Sequence, residues 1–133
     1  MQNKIADACE ACGLSPDEIA RRAAVSVYDL AAYMDGSRVP YAKTANRIGA
    51  VVGKTGAELV IGPPTTIADR MKTVRFDQDY SLEEMGDALG VAPTTVAKYE
   101  THGAPSLFAA ISYAETFGVS LDWLLLGKGA PYA

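Results

Sequence analysis

The sequence holds a single histidine, a single tryptophan and two cysteines among 133 residues, and no apolar run approaches the ~20 residues of a membrane span. Each shortage removes a class of function. With one histidine, no glycine-rich phosphate loop and no nucleophile with a base at a recognised spacing, the chain does not read as an enzyme and calls for no cofactor. No basic-then-apolar segment opens it, so the expectation is a cytoplasmic protein with no membrane partner. Positive charge is also short: 12 Lys and Arg stand against 16 Asp and Glu, for a net charge of −4. The seven prolines and twelve glycines punctuate rather than cluster, and only the closing GKGAPYA reads as disordered.

The cysteines form Cys9-Glu10-Ala11-Cys12. A structural zinc site needs four ligands, and the chain offers no third cysteine and only the distant His102. A redox pair normally opens a helix, where the helix terminus lowers a thiol pKa. Here the pair closes an alanine-rich stretch before Gly13, and it is expected to supply two small, partly buried helix residues.

What the chain has is 49% apolar residues and a resemblance to itself. Residues 13–36 lie on residues 79–102 without a gap: Ser15 meets Ser81, Glu18 meets Glu84, Val25 meets Val91 and Tyr33 meets Tyr99, at an offset of 66 (81 − 15). From Pro40 and Pro105 onward the offset is 65 (105 − 40), so the second copy has lost one loop residue.

Every matched piece reads as helix. Ser15 and Ser81 are placed to cap helix starts, with Glu18 and Glu84 three residues on to complete capping boxes. Ile19 and Ala23, or Met85 and Leu89, then recur at core-facing spacing, and a next helix opens at Ser26 or after Ala92 with Leu30 and Tyr33, or Val96 and Tyr99, as its buried stripe. A fourth helix buries Ala45, Ile48 and Val52, or Leu107, Ile111 and Ala114, and a fifth begins at Thr55 or Ser120. The leading helices are residues 2–12 and 66–74. No segment alternates as a strand would, so the fold class is all-α: two tandem units of about five helices, residues 1–61 and 66–133, joined by a proline-containing linker over 62–65.

The second half, YSLEEMGDALGVAPTTVAKYETHGAPSLFAAISYAETFGVSLDWLLLG, resembles the Xre or phage-lambda-repressor type of helix-turn-helix domain. The likeness lies in the serine-capped helix, the Gly-Val turn, the second helix ending in tyrosine and glutamate, and the closing GVSLDWLLLG; the first half is similar in order and spacing. The resemblance implies a repressor-like regulator that binds operator sites on double-stranded DNA, with the second helix of the pair in the major groove. By position, its reading face is Pro93, Thr94, Thr95 and Lys98 in the second copy and Val27, Tyr28, Asp29 and Ala32 in the first. Backbone contacts fall to Arg38, Tyr41 and Lys43, with Arg47 on the same basic stripe as Arg22, and to His102 and Ser106.

Charge divides unevenly between the copies. Residues 1–66 hold seven Lys or Arg and seven Asp or Glu, while residues 67–133 hold five against nine, a net −4. The half with the fuller motif is therefore the poorer partner for phosphate. In both copies the glutamine that such domains often carry after the capping serine is replaced, by Pro16 and Leu82. These departures raise an alternative: a helical interaction module that forms a homodimer or binds a regulatory protein, with Trp123, Leu125 and Leu126 as the candidate contact, although most of that apolar segment is expected to close the second core.

Overall fold

The computed structural model describes residues 4–132. The chain divides into two units, residues 1–62 and 63–133. The first holds α1 (Lys4–Ala11), α2 (Pro16–Ala23), α3 (Val27–Asp35), α4 (Ala42–Val52) and α5 (Gly56–Val60). The second holds α6 (Ile67–Asp77), α7 (Leu82–Leu89), α8 (Pro93–His102), α9 (Leu107–Phe117) and a π-helical turn, Asp122–Leu126. No strand forms among the described residues beyond one isolated bridge, Val119 to Tyr132, and no described helix is long and apolar enough to cross a membrane.

The caps explain most boundaries. Ser15, Ser26, Thr55, Thr66, Ser81 and Ser106 each accept, through the side-chain oxygen, the amide three residues on. Ser81 and Glu84 complete a reciprocal box, as do Thr55 and Glu58. Glu18 does not: its carboxylate turns to Arg21 and Arg22, because two guanidiniums one turn along its own helix outcompete a single neutral amide. Hydrogen bonds from Arg21 and Arg22 hold the Glu18 carboxyl down at about 2.

The turn after the second helix differs instructively between units. Gly90 ends α7 in the left-handed region at φ 74°, where glycine costs nothing. Its counterpart 66 positions earlier is Ala24, which adopts φ 58° against its Cβ. Ala24→Gly is therefore expected to stabilise the first unit by about 0.5–1 kcal/mol, the relief of left-handed strain less the entropy of a freer unfolded chain. Chemical denaturation reads this as a raised midpoint at unchanged slope.

Each unit closes its own core. Ile19, Leu30 and Ile48 are fully buried in the first, with Ile5, Cys9 and Leu59 around them. Met71, Val74, Met85, Val96, Tyr113 and Leu124 are fully buried in the second. Both cysteines are free. Burial pushes the Cys9 thiol up to about 11, away from thiolate chemistry, and the Cys12 thiol donates to the Cys9 carbonyl at 3.1 Å.

Several expectations need correcting. The inward stripe of α9 is Ala110 and Tyr113 with Phe117 beside them, whereas Leu107 is exposed and Ile111 and Ala114 only half-buried. The helix is apolar nearly all round, so its periodicity does not select a face; the offset of 65 does, pairing Ala45, Ile48 and Val52 with Ala110, Tyr113 and Phe117. Helix α6 runs three residues past Val74, to Asp77. The fifth element of the second unit is a π-turn rather than an α-helix. The GKGAPYA tail folds back: the Ser120 amide donates to the Pro131 carbonyl at 2.8 Å and the Tyr132 hydroxyl to Asp77 at 2.8 Å. Of the expected leading helix, Gln2 and Asn3 lie outside the described residues.

Candidate nucleic-acid interface

Helices α7 and α8 are set against each other by a tight turn. A Cβ on Gly86 would stand 2.6 Å from the Val91 carbonyl oxygen, so only a bare backbone admits this approach of α7 to the lead-in of α8. The Val91 amide also donates to the Gly86 carbonyl at 2.9 Å. Pro93 then opens α8, where its missing N–H is no loss, and the fully buried Val96 seats the helix on the core.

A buried ion pair fixes the far end of α8. Arg75 of α6 meets Glu100 through two parallel hydrogen bonds, Nε to Oε2 at 2.7 Å and Nη2 to Oε1 at 2.9 Å, while Nη1 donates to the Tyr80 carbonyl at 3.0 Å. The side chains are 9% and 6% exposed, so the fork geometry works in a site shielded from water. Sequence reading missed this pair. Its signal lies in the offset: 66 positions earlier stand Cys9 and Met34, both part of the first unit's core, and a charge on each of two core-equivalent positions has to find its complement.

The arrangement leaves the outward side of α8 with a particular chemistry. Thr94, Lys98 and His102 follow at four-residue spacing and are exposed, Pro93 is exposed beside them, and Thr95 is half-buried. Glu100 is the only acidic residue of α8, and it points inward to Arg75. No carboxylate of α8 therefore faces solvent, although the unit as a whole is acidic.

The first unit presents the equivalent face differently. Tyr28 and Tyr41 are exposed, but the Asp29 carboxylate accepts from Arg38 Nη1 at 2.6 Å, and the Arg38 guanidinium also lies over the Tyr33 ring, 5.4 Å from its centroid. This pairing strengthens the hold of Arg38 on its proton. Arg47 donates from Nε to the Ala23 carbonyl at 3.0 Å, closing the end of α2, and Arg22 is paired with Glu18. Lys43 is exposed. The expected stripe of Arg22, Arg38, Lys43 and Arg47 is thus largely committed to partners within its own unit.

The candidate protein contact is corrected as well. Trp123 is 7% exposed and belongs to the second core, Leu125 is half-buried against that core, and only Leu126, at 64%, is open to solvent.

Comparison with known proteins agrees with this geometry. Residues 71–124 match the helix-turn-helix family model. Over 67 residues, half of this chain, the sequence is 36% identical to the repressor protein CI of Enterobacteria phage phi80. Over 71 residues, 53% of this chain, it is 35% identical to the HTH-type transcriptional regulator PrtR of Pseudomonas aeruginosa. The aligned part spans 28% of each relative's length, and no solved structure matches significantly. The family match thus runs from α6 into the π-turn and takes in α7, the turn after it and α8.

Proposed function

We propose that this chain is a repressor-like transcriptional regulator that binds operator sites on double-stranded DNA through its second unit, with α8 in the major groove. The observation that carries the reading is the outward side of α8. Within a segment that matches the helix-turn-helix family, it offers a cation, hydroxyls and an imidazole, while its one carboxylate is turned inward to Arg75. A net charge of −4 does not oppose this, since phosphate senses local charge first and distant charge only through the screening of salt.

In this reading Lys98 donates to guanine O6 or N7, and Thr94 meets a base edge or thymine methyl. Thr95, Pro93 and His102 line the groove or the adjoining backbone. The first unit contributes less, because Arg38 and Arg47 are already engaged and Asp29 would face phosphate.

A fluorescence-anisotropy titration on fragments from the gene's own neighbourhood, at several salt concentrations and against random DNA, tests the proposal. Binding to one fragment with a clear salt slope is expected. Lys98→Ala should then weaken it by roughly 5- to 150-fold, the equivalent of about 1–3 kcal/mol, and relax preference at one base position. Absence of binding to every fragment at low salt would remove the reading.

A further inference from the structure

The loop that joins α3 to α4 is one residue longer than its counterpart in the second unit, since the offset between the copies falls from 66 before it to 65 after it. The shorter loop backs directly onto α6, where a Cβ on Gly103 would stand 3.0 Å from the Ala68 amide nitrogen. The longer loop instead borders a cleft of about 240 Å³, to which it contributes Gly36, Arg38, Val39 and Pro40. The inner wall of that cleft is core. Ile5 of α1, Tyr33 of α3 and Leu59 of α5 line it and are 4%, 6% and 4% exposed.

We infer that this cleft binds a small molecule with an apolar body and one carboxylate. The wall sets the body, because aliphatic and aromatic side chains gain from covering one another and offer a polar group nothing in return. Arg38 sets the charge: of the residues that line the cleft, it alone is charged. Its guanidinium is only partly committed. Nη1 donates to Asp29 at 2.6 Å, and Asp29 is not among the lining residues. Nε and Nη2 meet no acceptor among the described residues, and together they form the edge that takes a carboxylate through two parallel bonds, as Arg75 does with Glu100.

Size bounds the ligand. A cavity of ~150 Å³ takes benzene, so a cleft of about 240 Å³ has room for roughly nine or ten heavy atoms, the bulk of benzoate or octanoate. An ammonium would be repelled by Arg38. A phosphate of DNA would meet the same guanidinium but leave the apolar wall uncovered, so the body of the ligand separates the two.

Neither DNA nor the second unit enters the test, so its failure is separate from failure of the operator-binding reading. Benzoate and octanoate are titrated into the full nitrogen-15-labelled chain, and the amide signals of Tyr33, Gly36, Val39 and Leu59 are followed. Saturable shifts with a Kd of about 1 mM or below are expected. Benzyl alcohol, which keeps the ring without the charge, and acetate, which keeps the charge without the body, should each bind roughly tenfold more weakly or worse. Arg38→Met should weaken octanoate by a similar factor, and its side chain is 57% exposed, so the core stays in place. Val39→Asp, which sets a carboxylate beside the cleft at a residue 67% exposed, is a second route to the same loss. Absence of a saturable shift at millimolar ligand overturns the inference, and so does benzyl alcohol binding as well as benzoate or octanoate binding that survives both variants. Acetate or inorganic phosphate binding as tightly as octanoate would overturn it too, and would leave a plain anion contact of the kind DNA makes.

Discussion

Glu100→Ala is expected to lower the stability of the second unit by about 3–5 kcal/mol, a large part of the ~5–15 kcal/mol that holds an ordinary domain together. The cost comes chiefly from what remains. Arg75 is 9% exposed and keeps the Tyr80 carbonyl and the Phe76 ring once the carboxylate is gone, but neither carries a negative charge, so a full positive charge stays unanswered in a site shielded from water. An exposed pair of the same length would cost about 1 kcal/mol or less, and a loss that small would show that the site is effectively wet. Urea or guanidinium denaturation of parent and variant measures the difference.

The first unit supplies the control for this experiment. At the equivalent positions it carries Cys9 and Met34 in an apolar core. The double replacement Arg75→Cys with Glu100→Met should therefore recover most of what Glu100→Ala loses, because two apolar groups leave no charge unanswered. The double variant also loses the anchor that seats the end of α8 on α6. If the proposed operator binding holds, a protein that is stable yet binds that DNA more weakly would mark the ion pair as positioning α8 rather than holding the fold.

Trp123→Ala is the second large effect, with an expected cost of about 3–5 kcal/mol from lost burial and the cavity left behind. Trp123 is 7% exposed, beside a fully buried Leu124 and under the returning tail, where Tyr132 packs on the same core. Neighbours pinned by the Arg70 bond to the Leu124 carbonyl at 2.8 Å have little room to collapse into the gap. Leu126→Ala, three residues on, should stay within about 0.5 kcal/mol of the parent. Thermal melts of the two variants measure the contrast. Equal melting temperatures would show that the indole contributes nothing to the core.

Caps, turns and the repeat were legible because they are local or exactly periodic in the chain. Ser81 with Glu84, Thr66, and Pro93 at the start of α8 each act within one helical turn, so neighbouring residues settle them. The exposed Thr94, Lys98 and His102 followed from the same periodicity. The inward side of α9 did not, because the helix is apolar apart from Ser112, Glu115 and Thr116, and so wide an apolar surface marks no single stripe until its partners are in place. The tail did not either: GKGAPYA has the composition of a loose end, and only the Asp77 carboxylate and the Pro131 carbonyl, brought near by folding, give it a seat.

The sequence alone determined the all-helical fold class, the internal match between its two halves, and the segment of the second half that carries the helix-turn-helix pattern. Tertiary structure decided how charge is spent. It drew Glu100 inward to Arg75, and tied Asp29 to Arg38 and Arg47 to a backbone carbonyl. A count of charges along the chain cannot see this, because the field at a surface depends on which charges remain unpaired there, and pairing across 9, 24 or 25 positions is settled only when the helices pack.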